Sequence, residues 1–118
     1  MTKKAYYDQE GDILFVHKGY TKNDPFAGNV DSGDVILDIS KYGKVRGIEI
    51  LNASNFLKDL DVDDCKQILD HVKDITFESK IVRGTLMLII KVYYVLNNVE
   101  EVMRIPYSMR AEAPIACV

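Results

Sequence analysis

The 118-residue sequence predicts an α+β fold made of antiparallel β-hairpins, a three-stranded C-terminal meander and one or two helices. Three observations indicate this fold. Apolar and polar residues alternate with a period of two along much of the chain, turn-forming residues separate the alternating stretches, and one middle segment repeats its apolar residues at helical spacing. The length and the 47% of hydrophobic residues predict one domain, residues 1–118, with its own core.

The first two strands form the first predicted hairpin. Alternating residues over 3–8 and 12–18 flank Gln9-Glu10-Gly11, a short loop whose glycine suits a left-handed turn conformation. The following stretch, residues 19–33, is rich in turn formers and predicts a loop, with at most a short strand near Phe26.

The segments "DVILDIS" and "KVRGIEIL" predict a second hairpin, with its turn around Tyr42-Gly43. Side chains alternate between the two faces of a strand, so the hairpin has one core face and one mixed face. The core face collects Val35, Leu37, Ile39, Ile48 and Ile50. The mixed face collects Asp34, Ile36, Asp38, Val45, Gly47, Glu49 and Leu51. Glu49 is therefore explained as a solvent-side residue of an otherwise apolar strand.

Two helices are predicted after the second hairpin. A short helix near residues 53–58 follows Asn52, a residue type that caps helices. An amphipathic helix over residues 62–74 follows Asp61, a second predicted cap. The apolar stripe of this second helix consists of Val62, Cys65, Ile68, Leu69 and Val72.

The rest of the chain predicts a three-stranded meander whose register can be tested against itself. If Arg83-Gly84 and Asn97-Asn98 are two-residue turns, the first places Phe77 opposite Ile90 and the second places Ile90 opposite Ile105. The two turns then agree on one apolar face, which supports both. That face collects Ile75, Phe77, Ile81, Leu86, Leu88, Ile90, Val92, Leu96, Met103, Ile105 and Tyr107.

The opposite face of the meander carries a predicted electropositive spot. The same register places Lys91 directly opposite Arg104, and like charges that face each other across a sheet are destabilising. Glu78 and Glu100 are the local candidates to offset this repulsion. Alternatively the two cations, together with Tyr93, form a place for an acidic partner or ligand.

The composition argues against several classes of function. A net charge of −3 with scattered basic residues argues against nucleic acid and anionic membranes as partners. The start of the chain lacks the apolar core of a signal peptide, and the longest apolar run, residues 86–96, is interrupted by Lys91 and too short for a bilayer. Cys65 and Cys117 have no paired spacing and predict reduced thiols of a cytoplasmic protein.

The sequence shows few patterns that are typical of catalytic or cofactor-binding sites. The two histidines, His17 and His71, lack the spacing of a zinc site, and the glycines form no nucleotide-binding loop, so no catalytic, metal or cofactor residue is predicted. Acids cluster around Asp12 at the first turn and around Glu49 on the second hairpin. Each cluster is explained as loop caps or a soluble sheet face, or alternatively as a divalent-cation or acid–base site.

Two stretches, "YYDQEGDILFV" and "GDVILDISKYGKVRGIEILNAS", resemble the prokaryotic family called domain of unknown function 2283. The family pattern reads roughly Y-D-x-E-x-D-x-L-Y-[IV], then G-[VI]-[IV]-x-D-x-D-x-x-G-x-[VI]-x-G-[IF]-E-I-L-x-A-S. The resemblance covers residues 5–57 and leaves 58–118 as an extension. It implies a compact sheet followed by a helix, and it implies no activity. The matching positions are Tyr7, Asp8, Glu10, Asp12, Leu14, Val16, Asp38, Gly43, Val45, Gly47, Ile48, Glu49, Ile50, Leu51, Ala53 and Ser54.

The sequence departs from the family pattern in two places. The loop around Asp24-Pro25 is unusually long, and Ser40-Lys41 stands where family members tend to have an acid and a small residue. One matching residue also carries a hypothesis, because Glu49 falls on the glutamate of the pattern. Glu49 is a candidate hydrogen-bond acceptor for loop amides or for an arginine of a partner.

These observations favour a non-enzymatic protein-interaction module that forms a homodimer through a sheet face, because strands that are apolar on both faces need two covers. Two alternatives stay open. The family resemblance suggests an antitoxin-like partner of a small toxin, and the acid clusters suggest a small metal- or ligand-binding enzyme. The candidate interaction or structural residues are Asp12, Glu49, Lys91, Tyr93 and Arg104.

Overall fold

The computed structural model describes residues 3–111, so the predicted free thiol of Cys117 lies outside the described residues. It contains two antiparallel sheets and two short helices, which confirms the predicted α+β fold. The elements in chain order are β1 (Lys4–Asp8), β2 (Ile13–His17), β3 (Phe26–Ser32), β4 (Val35–Ser40), β5 (Val45–Ile50), α1 (Ala53–Asp59), α2 (Cys65–Asp70), β6 (Val72–Val82), β7 (Thr85–Leu96) and β8 (Val99–Arg110).

The N-terminal sheet has five strands in the order β1-β2-β5-β4-β3. Both predicted hairpins are confirmed, and Leu37 pairs with Ile48 while Ile36 pairs with Glu49, as the alternation predicts. The placement of Val45 on the mixed face is wrong, because a register shift pairs it with Ile39 and buries it in the core. The short strand predicted near Phe26 is present but longer than expected, and the rest of the predicted loop up to Ser32 is wrong, because β3 pairs with β4 along the edge of the sheet. Most of β3 is solvent-exposed, so its composition resembles that of a loop although its backbone is extended.

The two helices are shorter or differently capped than the sequence predicts. The predicted helix over 62–74 is wrong at both ends: α2 has six residues, and Val72 already belongs to β6, where it pairs with Tyr94. The residues from Val72 onward therefore form a paired strand, although their apolar residues continue the helical spacing. The predicted caps also fail, since α2 begins after Asp64 rather than Asp61, and Asn52 precedes α1 without a side-chain capping bond.

The C-terminal sheet has three strands in the order β6-β7-β8, which confirms the predicted meander. Phe77 pairs with Ile90, and Ile90 pairs with Ile105. Both turns contain two residues with positive φ, 51° and 77° at Arg83-Gly84 and 53° and 62° at Asn97-Asn98. Positive φ at both central residues matches the twist of a tight hairpin, so the turn residues set the register.

One hydrophobic cluster joins the two sheets and the helices. Leu37 of the N-terminal sheet and Ile75 of the C-terminal sheet are both fully buried within it. At the rim of this core, the hydroxyls of Ser32 and Tyr107 lie 2.7 Å apart across the two sheets. Neither of the helices in the described residues is long and apolar enough to cross a membrane.

Candidate functional sites

The first site links the β1–β2 turn to helix α1, and its centre is Asp12. The Asp12 carboxylate accepts hydrogen bonds from the Ser54 backbone amide at 3.1 Å, the Ser54 hydroxyl at 2.6 Å and the Tyr7 hydroxyl at 2.6 Å. The Asp12 carbonyl oxygen accepts a further bond from the Ala53 amide at 2.9 Å. We call Tyr7, Asp12, Ala53 and Ser54 the hairpin–helix clamp. Asp12 therefore supplies the helix cap that the sequence assigns to Asn52.

The clamp favours a charged Asp12. Burial alone raises the pKa of this carboxyl, but the hydrogen bonds from Ser54 and Tyr7 outweigh it and hold the pKa below its ordinary value. The Tyr7 hydroxyl also accepts a bond from Lys66 Nζ at 3.0 Å. Burial and the bond to Asp12 raise the pKa of Tyr7, so the phenol keeps its proton for the carboxylate. This arrangement fastens a turn to a helix, which is a structural task.

The second site lies on the outer face of the N-terminal sheet, where Gly47 lies between two polar side chains, His17 and Asp38. In one row across the strands, His17 pairs with Gly47 and Gly47 pairs with Asp38. Because Gly47 has no side chain, His17 Nε2 and Asp38 Oδ2 approach to 3.5 Å across it. A β-carbon at position 47 would lie 2.9 Å from Asp38 Oδ2 and would overlap the His17 ring. Asn29 donates a hydrogen bond to Asp38 from the next strand.

The histidine of this pair is neutral and fully engaged. His17 is 3% exposed, and its Nδ1 accepts a hydrogen bond from the Gly19 amide at 2.8 Å. The neutral ring therefore carries its proton on Nε2, which faces Asp38. Burial lowers the pKa of His17, and Arg46 lowers it further against the opposing charge of Asp38. Both ring nitrogens face partners of the chain itself, so His17 acts as a buried link between strands.

Aromatic rings cover this pair from the strands and from the following loop. Phe15 stacks on His17 with ring centroids 6.2 Å apart, and the Tyr20 ring meets His17 edge-on at 4.7 Å. The Tyr20 hydroxyl is buried and has no hydrogen-bond partner within residues 3–111. Burial and the charge of Asp38 raise the pKa of Tyr20 to about 12, so this phenol is neutral at every physiological pH.

Glu49 lies in the neighbouring row of the same outer face. Its paired residues are Phe15 on one side and Ile36 on the other. Burial raises the pKa of Glu49, and the charge of Asp38 raises it further. Glu49 belongs to this face, whereas Asp12 belongs to the clamp, so the two candidate acids serve different sites. In residues 3–111, no cluster of three or more His, Cys, Asp or Glu side chains has the geometry to hold a metal ion.

The two departures from the family pattern contact each other. Ser40 is 1% exposed and donates a hydrogen bond to Asp24 Oδ2 at 2.8 Å, while the Lys41 amide donates to the Pro25 carbonyl at 2.8 Å. The other Asp24 oxygen accepts a bond from the Tyr42 amide at 2.9 Å. An acid at position 40 would face the Asp24 carboxylate, so the long loop and the serine suit each other.

The third site is the side of the C-terminal sheet that faces away from the core, which we call the outer face of the meander. Its central strand presents Met87, Ile89 and Tyr93, which are 39%, 37% and 38% exposed. Lys91 pairs with Arg104 as the sequence predicts, yet neither cation forms a salt bridge within the described chain, so the offset by Glu78 or Glu100 is absent. The face comprises Asp74, Thr76, Glu78, Lys80, Val82, Thr85, Met87, Ile89, Lys91, Tyr93, Val95, Glu100, Val102, Arg104, Pro106, Ser108 and Arg110.

The structure thus divides the five candidate residues of the sequence among three places. Lys91, Tyr93 and Arg104 share the outer face of the meander, while Asp12 and Glu49 lie elsewhere. Sequence reasoning missed the link between His17 and Asp38, although a glycine inside a strand is a signal of close approach. It also missed the bond between Asp12 and Ser54, although both are positions of the family pattern.

The comparisons with known proteins give one family model, which matches the N-terminal half, and one relative that matches most of the chain. The family model described as "Protein of unknown function (DUF2283)" matches residues 4–54, which include the whole clamp, His17, Asp38 and Glu49. An uncharacterised protein of Methanocaldococcus jannaschii is 34% identical over 106 residues, and the match covers 88% of this chain and 83% of that protein. No solved structure matches the chain.

Proposed function

The chain belongs to the DUF2283 family of proteins of unknown function, and we propose that it is a non-enzymatic protein-interaction module that forms a homodimer. The proposed interface is the outer face of the meander. The observation that carries this proposal is the central strand β7, whose core-facing residues are buried and whose outward-facing residues are mostly large and apolar.

Exposed apolar side chains that form one stripe distinguish a docking surface from scattered surface residues. Met87, Ile89 and Tyr93 occupy successive outward positions of β7, interrupted only by Lys91. Pro106 and Val102 flank the stripe on β8, opposite Ile89 and Tyr93. A partner that covers this stripe removes the apolar surface from water, which is the main favourable contribution to association.

The size of the face suits a small dimer. Strand β7 has 12 residues, and at about 3.3 Å per residue and about 4.8 Å between strands the three-stranded face measures about 40 by about 14 Å. Two such faces bury about 1,000 Å² in total, which is at the low end of specific interfaces. The dimer is therefore expected to dissociate as the protein is diluted.

The edge of the meander is poorly suited to association. Strand β8 is an edge strand, and it carries Pro106 together with Glu100, Glu101 and Arg104. Proline and charged side chains on an edge strand oppose the addition of another strand. The face of the sheet is thus the better place for a second copy.

The chemistry of the N-terminal sheet also supports a non-enzymatic role. The side chains there that carry chemistry contact groups of the same chain: His17 lies 3.5 Å from Asp38 and accepts a hydrogen bond from the Gly19 amide, and Asp12 accepts hydrogen bonds from Ser54 and Tyr7. Groups engaged in this way hold the fold together, and a catalytic base needs a free lone pair that faces a substrate.

Native mass spectrometry of the full chain, combined with light scattering over a wide concentration range, tests the proposal. We expect a species of twice 13.4 kDa that dissociates on dilution. Ile89→Lys buries a charge in the centre of the proposed interface and should yield a folded monomer. Tyr42→Lys is the matched control, since Tyr42 is 59% exposed in the β4–β5 turn and should leave the dimer unchanged.

Four results would contradict the proposed homodimer or its interface. A monomer at every concentration, or a dimer that Ile89→Lys leaves intact, removes the proposed interface. A complex with a small second protein favours the antitoxin-like alternative instead. Extra mass from a metal ion or a metabolite favours the alternative of a metal- or ligand-binding enzyme, and directs attention to the acids around Asp12 and Glu49.

A further inference from the structure

The outer rows at the two ends of the outer face of the meander carry opposite charges. The strand register orders the face into cross-strand rows, each of which contributes one residue from β6, β7 and β8. Lys80 and Arg110 lie toward the Arg83-Gly84 turn, and Asp74 and Glu100 lie toward the Asn97-Asn98 turn; Glu78, Lys91 and Arg104 lie in the two rows between them. The four central rows are Lys80-Met87-Ser108, Glu78-Ile89-Pro106, Thr76-Lys91-Arg104 and Asp74-Tyr93-Val102.

We propose that two copies pack these faces together about a two-fold axis that runs across the strands, between the row of Ile89 and the row of Lys91. This inference rests on the proposed homodimer and specifies its geometry. A two-fold interface is self-complementary, so each contact occurs twice. The operation places the Ile89 row of one copy against the Lys91 row of the other, and the Met87 row against the Tyr93 row.

Opposite charges meet in this arrangement. Lys80 of one copy faces Asp74 of the other, because both lie on β6 in rows that the axis exchanges. The next rows outward bring Arg110 toward Glu100, both on β8. The twist of packed sheets, about 30°, displaces these outer rows sideways, and long lysine and arginine side chains bridge such displacements.

The centre of the interface is also favourable. The aliphatic stem of Lys91 lies over Ile89 of the second copy, which buries apolar surface on both. Glu78 of the second copy lies diagonal to Lys91 in the opposing row, so the cation that lacks a salt bridge in its own chain gains a nearby carboxylate. Met87 packs against Tyr93, and sulfur–aromatic contacts of this kind are favourable.

Three alternative two-fold axes bring like charges together. An axis along the strand direction through β7 places Lys91 against its own copy. An axis across the strands through the Lys91 row places Lys91 and Arg104 each against its own copy, and an axis through the Ile89 row does the same for Glu78. Juxtaposed like charges in an interface disfavour the wrong register. The axis between the two rows avoids all of these contacts.

The Asp74 carboxylate is available for this contact. It already lies 3.2 Å from Lys3 Nζ of its own chain, but both side chains are about half exposed, 50% and 45%. An exposed salt bridge of this kind contributes little stability and is readily shared with a second cation. Lys80 is exposed, and within residues 3–111 it forms no salt bridge.

The test uses two charge reversals that are never combined in one chain. Lys80→Glu places two carboxylates together at each contact, and Asp74→Lys places two ammonium groups together. We expect each variant alone to dimerise about tenfold more weakly than the wild type at low salt. An equimolar mixture should restore dimerisation as a heterodimer, because glutamate at 80 then faces lysine at 74, and native Asp74 faces native Lys80.

Rescue by mixing is specific to this register, since no chain carries both substitutions and no intramolecular repair is available. Lys22→Glu, in the exposed loop before β3, is the control and should leave the dissociation constant unchanged. Circular dichroism checks that each variant folds, and Arg110→Glu with Glu100→Lys provides a second matched pair if Asp74→Lys does not fold.

The outcomes separate this inference from the proposed function. If Ile89→Lys abolishes the dimer but mixing the charge variants gives no heterodimer, the interface stands and this register is wrong. If wild-type protein is monomeric throughout, the homodimer itself is wrong, and the register with it. Restored heterodimer with an unaffected control supports both.

Discussion

The outer faces of the two sheets differ in how far their side chains contact one another. On the N-terminal sheet, the outward side chains contact each other: His17 reaches Asp38 across Gly47, Asn29 bonds to Asp38, and Phe15 stacks on His17. On the C-terminal sheet, the outward side chains of β7 are exposed, and Lys91 faces Arg104 across the strands. On the first face the polar groups around His17 contact one another, although Tyr6 at its edge is 50% exposed. The second face presents a stripe of apolar groups and two cations to its surroundings.

The two outer faces are therefore expected to have different roles: the N-terminal face stabilises the fold, and the outer face of the meander forms the proposed dimer interface. The family match covers residues 4–54, where the polar residues tie strands, turn and helix together. The proposed interface lies beyond that segment, on β6, β7 and β8. We therefore expect substitutions in the N-terminal sites to change the free energy of unfolding, and substitutions on the outer face of the meander to change dimerisation.

The largest expected effect on stability comes from Gly47→Ala. The added β-carbon overlaps the His17 ring and lies 2.9 Å from Asp38 Oδ2, so two packed side chains must move apart. Overpacking of this kind costs about 1 to 3 kcal/mol of unfolding free energy, measured by urea denaturation. Gly28→Ala is the control, because a β-carbon added at that glycine would meet no atom within 4 Å; it should be neutral or slightly stabilising.

The second effect comes from the hairpin–helix clamp. Asp12 has a φ of 54°, a conformation that asparagine tolerates, so Asp12→Asn removes the charge with little backbone strain. Losing the charged cap of α1 should cost about 1 kcal/mol at neutral pH. Glu10→Gln, at an exposed position of the same turn, is the control and should have little effect.

The pH dependence gives this prediction a second readout. The folded-state pKa of Asp12 lies below the ordinary 3.8, so its stabilisation is fully present above that pH and is lost as the pH falls through the folded pKa. The stability difference between wild type and Asp12→Asn should therefore shrink in acid. A difference that stays constant from neutral pH to below pH 3.8 would show that the charge of Asp12 is not what the clamp uses.

Local signals predict most of the strands and the register of the meander from Ile75 onward, but not the start of β6 at Val72 or the register shift that follows it. The pairs Arg83-Gly84 and Asn97-Asn98 fix their own turn type through positive φ, and each turn then fixes which residues face each other. The alternation in "DVILDIS" and "GIEIL" likewise placed Glu49 on the outer face. These predictions need only the residues of one hairpin.

The contacts that the sequence does not reveal join distant segments. Asp12 and Ser54 are 42 positions apart, and His17 meets Asp38 only because β5 lies between β2 and β4. Strand order is decided by packing of the whole sheet rather than by any local pattern. The truncated α2 has the same cause, since the residues around Val72 gain more from pairing with β7 than from extending a short helix.

The smallest effect, and the sharpest test of the division between the two sheets, is Glu49→Gln. Burial and the charge of Asp38 raise the pKa of Glu49 above its ordinary 4.5, so the charged form is disfavoured in the folded state. Protonated Glu49 therefore stabilises the folded state. This stabilisation is fully present below pH 4.5 and is lost as the pH rises through the pKa of Glu49 in the folded protein. Glu49→Gln should therefore be slightly more stable than wild type at neutral pH, by less than about 0.5 kcal/mol, and equally stable in acid.

The same variant also tests whether Glu49 accepts a bond from a partner. Glu49 lies between Phe15 and Ile36 on the outer face of the N-terminal sheet, away from the proposed interface. We therefore expect Glu49→Gln to leave the dissociation constant of the dimer unchanged. Weaker dimerisation would mean that a cation of the partner contacts Glu49 on the N-terminal sheet. Lower thermal stability at neutral pH would mean that the Glu49 carboxylate accepts a hydrogen bond that an amide replaces poorly. Either result would show that this outer face also takes part in association or folding through its charge, and the contrast between the two sheets would then rest on the apolar stripe of β7 alone.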